Sequence, residues 1–265
     1  MKKTILITGS TDGIGKLAAQ KLAAAGHRVY LHGRSQEKLL KVIDEIRSAS
    51  NNENVNGFTA DFSDLTAVRQ MAKTVKAELG QLDVLINNAG VFKSSSVLNS
   101  EGYDLRFVVN YFAPYLLTTE LLSLLEKSEA ARLINLSSAA QDTVVMDALL
   151  GKTQLPAQTT YAQSKLALTM WSFHLAQTLP KLLVIPVNPG SLLNTNMVRE
   201  AYGRYWSSAD KGAEILIQLA VDETYAGRSG QYFDNDKGSF GRAHPDAYDS
   251  AKIEELIRTS AQLLL

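Results

Sequence analysis

Short apolar runs alternate with longer segments of helical periodicity along the chain. The runs predict β-strands at residues 4–8, 28–32, 55–60, 82–86, 131–136, 182–187 and 230–233. Helices are predicted from Ile14 to a stop at Gly26, and over residues 36–48, 64–79, 101–126, 159–178, 207–221 and 247–262. This alternation is typical of β-α-β units around a parallel sheet. The pattern therefore predicts an α/β fold.

The chain is predicted to form one domain, residues 1–265. Single α/β domains of roughly 250 residues are common. The polar stretch 48–54 is interpreted as a surface turn and not as a linker between domains.

Composition and charge exclude several classes of function. With 45% hydrophobic and 20% charged residues, the chain is an ordinary globular one. The 27 Lys+Arg residues balance the 27 Asp+Glu residues, so no overall field attracts nucleic acid or an anionic membrane. The lack of cysteine excludes disulfides, thiol nucleophiles and thiolate metal sites. No bound metal is expected.

The first apolar run and the cysteine-free composition bear on location. The run ends at Thr8, which is too early for a signal peptide. No later stretch approaches the roughly 18 uninterrupted apolar residues of a membrane span, and a chain without cysteine suits a reducing compartment. We expect a cytoplasmic protein without a membrane span.

A glycine-rich segment, Thr8-Gly9-Ser10-Thr11-Asp12-Gly13-Ile14-Gly15, joins the first strand to the first helix. Glycines at such a corner permit a tight turn and let backbone N–H groups reach a pyrophosphate, while the helix N-terminus adds partial positive charge. A plain strand-to-helix corner is the alternative. Its position in the first β-α-β unit favours a nucleotide site.

Tyr161 and Lys165 stand one helical turn apart, so they share a helix face. An ammonium next to a phenol favours the phenolate form. Tyr161 would then exchange a proton with a carbonyl or alcohol oxygen. In isolation the same spacing would indicate only a solvated helix face.

Together these motifs resemble the short-chain dehydrogenase/reductase family over nearly the whole chain. The matching features are the Gly-x-x-x-Gly-x-Gly spacing, Asn87-Asn88-Ala89-Gly90, Asn110, Ser138, Tyr161-Ala162-Gln163-Ser164-Lys165 and Asn188-Pro189-Gly190, in the family's order. Gly230-Gln231-Tyr232-Phe233 and the closing amphipathic helix resemble the retinol dehydrogenase and WW-domain oxidoreductase branch.

The resemblance implies a fold and a site. The fold is a doubly wound parallel sheet, a Rossmann fold, of seven strands in the order 3-2-1-4-5-6-7. The implied catalytic residues are Tyr161 as proton donor, Ser138 as the group that holds the substrate oxygen, Lys165 on the nicotinamide ribose and Asn110 on a water-linked proton path. The implied cofactor contacts are Gly9, Thr11, Asp12, Gly13, Ile14, Gly15, Arg34, Asp61, Phe62, Asn88, Ala89, Gly90, Tyr161, Lys165, Pro189, Gly190, Leu192 and Thr195.

Residues at the end of the second strand indicate which nicotinamide cofactor binds. An NAD enzyme carries an acidic residue there, whereas an arginine accommodates the 2′-phosphate of NADP. Here Gly33 takes the acid's place and Arg34 follows it, which favours NADP(H) over NAD(H). Asp12 argues the other way, because many NADP-using relatives place a base in that turn. A surface or capping arginine is the alternative role for Arg34.

The resemblance also leaves open where the substrate binds. The segment between Ser138 and Tyr161 and the segment after Pro189 are both longer than is usual in the family. We therefore predict a substrate lid from residues 141–158 and 191–206, with a fixed packing segment or an oligomer contact as alternatives for 141–158. Either Asn194 or Thr195 approaches the nicotinamide, and Thr195 is preferred. An apolar pocket is expected from Val91, Phe92, Leu149, Leu192 and Met197.

The predicted function is hydride transfer between NADP(H) and a carbonyl/alcohol pair of an apolar small molecule. A non-catalytic NADP-binding sensor on the same fold is the alternative. Relatives usually form dimers or tetramers through the helices near 101–126 and 159–178, so a homodimer or homotetramer is expected.

Overall fold

The computed structural model describes residues 2–265, which are organised around one sheet. Its strand order is β3-β2-β1-β4-β5-β6-β7-β8. The strands are β1 Thr4–Ile7, β2 Arg28–Gly33, β3 Val55–Thr59, β4 Val84–Asn87, β5 Arg132–Leu136, β6 Leu183–Asn188, β7 Tyr232–Asp234 and β8 Ser239–Gly241. Strands β1 to β7 are parallel, which confirms the predicted doubly wound sheet. Strand β8, which was not predicted, pairs antiparallel with β7.

Helices cover both faces of the sheet. They are α1 Gly13–Ala24, α2 Gln36–Ser50, α3 Leu65–Glu78, α4 Leu105–Leu125, α5 Met146–Leu149, α6 Ala157–Thr178, α7 Asn196–Tyr202, α8 Ala209–Val221 and α9 Ser250–Leu264. Helices α5 and α7, which were not predicted, lie in the two segments that the sequence analysis assigned to a lid, 141–158 and 191–206. Short 3₁₀ turns occur at Glu223–Tyr225 and Pro245–Tyr248.

The central strands are buried on both faces, and their alternate side chains feed two separate cores. Leu6 and Leu133 pack on the side of α3, α4 and α6. Ile5 and Ile134 pack on the side of α1, α2 and α8. Burial on both faces leaves only the strand ends and their loops free to form a site.

Helix α4 begins at Leu105, four residues later than predicted. The Asn99 side chain accepts hydrogen bonds from the backbone N–H groups of Glu101 and Tyr103, which closes a turn there. Asp104 then caps the helix by accepting from the Arg106 N–H. Side-chain bonding to the backbone thus replaces the first predicted helical turn. Residues Val108–Phe112 form a π-helical turn within α4.

Helix α9 packs against α4 and α6, the two helices through which a second subunit was expected to bind. The hydroxyls of Tyr111 on α4 and Ser260 on α9 are 2.7 Å apart and fully buried. Within residues 2–265, α4 is also the one helix long and apolar enough to cross a membrane, but 72% of its apolar window is buried inside the protein. It has the surroundings of a core helix. The expected homodimer or homotetramer stays a prediction.

Candidate active site

A cleft of about 850 Å³ lies at the carboxyl ends of the strands. It is centred where the strand order reverses between β1 and β4, which is where ligands bind in open α/β sheets. Its walls come from the glycine-rich turn, the ends of β2 and β3, residues 88–100, the end of β5, helix α6 and residues 188–200.

The glycine-rich turn is held against the neighbouring strand by close backbone packing. Gly9 has φ +61°, and a Cβ there would lie 2.7 Å from the Cα of Ala89. A side chain at residue 9 would therefore displace the loop after β4. Among the predicted contacts in this turn, Gly9, Thr11, Asp12, Gly13 and Ile14 line the cleft. Gly15 packs instead on Asn88, where a Cβ would come within 2.4 Å of the amide nitrogen.

The His32 side chain holds the glycine-rich turn in place by accepting a hydrogen bond from its backbone. The Gly9 N–H donates to His32 Nδ1 over 3.1 Å, and Nε2 lies 3.0 Å from the Ala60 carbonyl oxygen. Because a carbonyl can only accept, the proton resides on Nε2 and the ring is neutral. Burial lowers the His32 pKa to about 4, which keeps the ring neutral at pH 7. The ring stacks on Phe62, with 4.1 Å between ring centroids.

Two cations follow β2, Arg34 directly after the strand and Lys38 in the first turn of α2. Arg34 and Lys38 both line the cleft and are exposed. A Cβ at Gly33 would lie 2.5 Å from Thr11 Cγ2, so a side chain there would require Thr11 to shift. Asp61, the predicted adenine contact, and Phe62 line the cleft at the end of β3.

Lys38 was not identified from the sequence, and the structure pairs it with Asp12. The ammonium lies 3.1 Å from the Asp12 carboxylate. The same carboxylate caps α1 through the Gly13 N–H and accepts a hydrogen bond from the Asn196 amide on α7. The ion pair therefore holds the positive charge of Lys38 beside the glycine-rich turn, although Asp12 within the turn is acidic.

The loop after β4 is fixed to the glycine-rich turn. Asn88 donates from its amide to the carbonyls of Thr8 and Gly9, at 2.7 and 2.9 Å. Thr8 Oγ1 accepts from the N–H groups of Asn88 and Ala89. Asn88, Ala89 and Gly90 all line the cleft, as the resemblance implied.

Asn110 lies in the π-helical turn of α4 and joins three elements. Its Oδ1 accepts from the Val91 N–H at 2.8 Å, and its Nδ2 donates to the Val91 carbonyl and to Ser164 Oγ. Ser164 in turn donates to the carbonyl of Tyr161. Asn110 is only 1% exposed, so it orients the loop and α6 from behind the cleft wall.

Tyr161 and Lys165 both line the cleft from one face of α6, and Lys165 Nζ lies 5.7 Å from the Tyr161 ring centroid. Lys165 donates to the Leu136 carbonyl over 2.7 Å. Burial lowers the pKa of Lys165 to about 8, because no carboxylate offsets the loss of hydration. The amine is therefore mainly protonated at neutral pH. The Tyr161 ring meets the Phe92 ring edge-on at 5.0 Å.

The two serines at the end of β5 point to different places, as strand alternation requires. Both serines line the cleft, but Ser138 is half-buried whereas Ser137 is buried. Ser137 Oγ donates to the Lys165 carbonyl and lies 2.7 Å from Thr169 Oγ1, so it anchors α6.

The loop after β6 brings Thr195 to the cleft, whereas Asn194 is turned away. Asn194 Oδ1 accepts two hydrogen bonds from the Arg199 guanidinium. Thr195 caps α7 and lies beside Gly13, whose added Cβ would be 3.6 Å from Thr195 Cγ2. Pro189 and Gly190 line the cleft as expected, but Leu193 lines it in place of Leu192.

The prediction that 141–158 closes over the substrate is not supported by its position. No residue between 139 and 160 lines the cleft, although all of them are among the residues described. Helix α5 in this segment packs inward, and Leu149 is a buried core residue instead of a pocket wall. The alternative of a permanently packed segment fits this arrangement.

Residues 91–100 form the opposite wall, which the sequence analysis largely missed. Val91 and Phe92 were expected there, whereas the wall also includes Lys93, Ser94, Ser95, Ser96, Leu98, Asn99 and Ser100. Lys93 reaches across to the Glu200 carbonyl at 2.9 Å. Met197 stands on the facing side, as predicted.

The fold and this site define the class of protein. The family model for short chain dehydrogenases matches residues 3–205, and the chain belongs to this family. It is similar to human retinol dehydrogenase 13, with 33% identity over 282 residues, covering 99% of this chain and 84% of that protein. It is also similar to human polyprenol dehydrogenase, with 30% identity over 256 residues, covering 89% and 77%.

Solved structures agree with this assignment. A short chain dehydrogenase from Shigella flexneri 2a str. 301 complexed with NADP has a TM-score of 0.71 and 28% identity, covering 89% of this chain and 98% of that one. One from Escherichia coli CFT073 complexed with NADPH has a TM-score of 0.73 and 27% identity, covering 89% and 97%. The protein is thus an NAD(P)-dependent oxidoreductase that acts on an alcohol or carbonyl group.

Proposed function

We propose that the protein transfers a hydride between NADP(H) and the carbonyl or alcohol group of an apolar substrate. The observation that carries this proposal is the position of Tyr161 and Lys165 within the cleft. The same cleft also holds the cationic end with Arg34 and Lys38, and the apolar side chains of Phe92, Leu98 and Met197.

The cationic end fits the 2′-phosphate of NADP. A guanidinium and an ammonium can both make charge-assisted hydrogen bonds to a phosphate. The space beside Gly33, where an acid would bind a ribose hydroxyl, is filled by Thr11. The turn at Gly9 and the N-terminus of α1 would receive the pyrophosphate.

The chain's own residues account for the proton transfer that accompanies the reaction. NADPH, when bound, supplies the hydride. Tyr161 donates its phenolic proton to the carbonyl oxygen, and the Ser138 hydroxyl donates a hydrogen bond to the same oxygen. The Lys165 ammonium stabilises the phenolate left on Tyr161. In the reverse direction this phenolate accepts the proton of an alcohol.

An apolar substrate is supported by the wall opposite the cationic end. Val91, Phe92, Leu98 and Met197 line this part of the cleft. Two relatives are named for the apolar alcohols retinol and polyprenol. An apolar chain bound here would gain about 0.8 kcal/mol for each fully buried methylene.

Turnover with matched substrates tests the proposal. NADPH oxidation should be followed with a panel of aldehydes, ketones and quinones of increasing chain length, and NADP⁺ reduction with the corresponding alcohols. We expect turnover with apolar members and background rates without substrate. Tight NADPH binding without turnover on any substrate would contradict the proposal and favour a non-catalytic sensor.

A further inference from the structure

A hairpin at the edge of the sheet lies directly behind the active site. It consists of β7, the turn Asn235–Gly238 and β8, and it lies beyond residue 205, where the match to the family model ends. None of its residues, all of which the structure describes, lines the cleft. Its polar side chains nevertheless bond to two segments that do line it.

Asp236 holds the loop after β6. Its Oδ1 accepts from the Ser191 N–H at 2.7 Å, and its Oδ2 accepts from Ser191 Oγ at 2.5 Å and from Asn188 Nδ2 at 2.8 Å. Burial opposes ionisation of Asp236, but the hydrogen bonds from Ser191 and Asn188 outweigh it and lower the pKa below its ordinary value of 3.8. The carboxylate is therefore charged at neutral pH and accepts strong hydrogen bonds.

Asn235 holds the same loop by donating hydrogen bonds to backbone carbonyl oxygens of the loop. Its Nδ2 donates to the Pro189 carbonyl at 2.8 Å and to the Lys211 carbonyl at 3.1 Å, and its N–H donates to the Asn188 carbonyl. Asn235 is 7% exposed, so these bonds are shielded from water. Two neighbouring residues of one turn therefore hold the loop that contains Pro189 and Gly190: Asp236 accepts hydrogen bonds from it, and Asn235 donates hydrogen bonds to it.

Tyr232 holds the other segment, at the end of β5. Its hydroxyl donates to the Ser138 carbonyl at 2.9 Å, and the Gln141 amide donates to the same oxygen. Tyr232 is 4% exposed, and burial raises its pKa, so it remains a neutral donor. The backbone that carries the Ser138 hydroxyl is therefore fixed from behind.

We propose that this hairpin is a positioning element that sets the nicotinamide-side loop and Ser138 relative to each other. Asp236 and Asn235 position Pro189 and Gly190, while Tyr232 positions Ser138. The inference rests on the proposed function, because it assigns those two segments to nucleotide binding and to catalysis. The two segments follow different strands, and the hairpin bonds to both.

Asp236→Asn tests whether the hairpin positions the loop that contains Pro189 and Gly190. The variant keeps the size of the side chain but turns an amide donor towards Asn188 Nδ2 or Ser191 Oγ. We expect NADPH affinity to fall by about tenfold, while affinity for a 2′-phosphorylated ADP fragment, which lacks nicotinamide, is unchanged. Equal losses for both ligands, or no loss for NADPH, would overturn the inference. Lys237→Ala in the same turn is the control, because the Lys237 side chain is 72% exposed and pairs with Asp234, not with Ser191 or Asn188.

Two further variants keep the test decisive. Ser191→Ala removes one hydroxyl donor from Asp236 at an exposed site, so it should weaken NADPH binding in the same selective way even if Asp236→Asn fails to fold. Tyr232→Phe removes the hydroxyl that donates to the Ser138 carbonyl, so kcat should fall by roughly tenfold with the KM for NADPH unchanged. An unchanged kcat would overturn the proposal that Tyr232 positions Ser138. A parent protein that binds neither NADPH nor the fragment would instead contradict the proposed function itself.

Discussion

Gly33 and Thr11 approach so closely that a Cβ at residue 33 would lie 2.5 Å from Thr11 Cγ2. Real Cβ atoms essentially never come that near another heavy atom, so Thr11 occupies the space that an acidic side chain would need. The contact therefore bears directly on which nicotinamide cofactor the protein prefers. It joins the glycine-rich turn to the end of β2, two segments that the sequence alone does not show in contact.

We expect NADPH to bind more tightly than NADH. Arg34→Ala should remove most of the difference, because a charge-assisted phosphate contact contributes about 1.5 to 3 kcal/mol. Titration calorimetry with both nucleotides measures this directly. Equal affinities in the parent protein would contradict the account.

Gly33→Asp provides the matched control for this prediction. The substitution alone should not create a preference for NADH, because Thr11 blocks the new side chain. Combined with Thr11→Gly, it should raise NADH affinity. A gain in the single variant would show that Thr11 moves easily.

The position of Tyr161, Lys165 and the glycine-rich turn at the cleft could be predicted because the geometry of each motif is local. Tyr161 and Lys165 are one helical turn apart, and the glycine-rich turn joins consecutive elements. Any chain that folds into this sheet brings the ends of its strands to one edge, which is why Ser138 and Asn88 were placed correctly near the cleft.

The features that sequence analysis missed depend on contacts between distant segments. Lys38 reaches Asp12 only because α2 returns beside the first turn. Likewise, Asp236 reaches Ser191 because the chain turns after β7 and β8 pairs antiparallel with it. Nothing in the local sequence pattern specifies that strand pairing. Leu149 fits a lid pattern and a core pattern equally well, and only packing distinguishes them.

Stability should depend on pH through His32. Its pKa falls from an ordinary 6.5 to about 4 in the folded protein because of burial, so the unfolded state binds a proton that the folded state does not. The stabilisation is present above pH 6.5 and is lost as the pH falls towards 4, by up to about 3 kcal/mol. Urea unfolding across this range measures the loss.

Substitution of histidines separates this effect from general acid denaturation. His32→Asn should remove the larger part of the dependence between pH 6.5 and 4, whereas His174→Gln, at a half-buried position of α6, should leave most of it. A parent protein whose stability is constant over this range would show that His32 is not held neutral by the fold.

The preference for apolar substrates should depend on the side chains of Phe92 and Met197, both of which line the cleft. For a series of straight-chain aldehydes, kcat/KM should rise by up to about fourfold per added methylene until the cleft is filled. Met197→Ser should reduce this increase, and Leu40→Ser, on the exposed face of α2, should not. A preference for the shortest or most polar members of the series would argue against an apolar site.

The two segments predicted from sequence as a lid should behave differently. Residues 191–206 contribute Leu193, Thr195 and Met197 to the cleft, whereas 141–158 contributes nothing to its lining in the part of the chain described. Hydrogen exchange in 191–206 should slow when NADPH and a substrate analogue bind together. Residues 141–158 serve as the internal control. Equal slowing of both segments would restore the original two-part lid.

The most direct test of the account is the Tyr161→Phe variant, which lacks only the proposed proton donor. Two measurements on this variant are decisive: NADPH affinity and the rate of NADPH oxidation with the best carbonyl substrate. The account predicts parent-like affinity and a kcat lower by roughly 10²–10⁴-fold, as is typical when a general acid is removed. Near-parent turnover with parent-like NADPH binding would contradict the proposed mechanism.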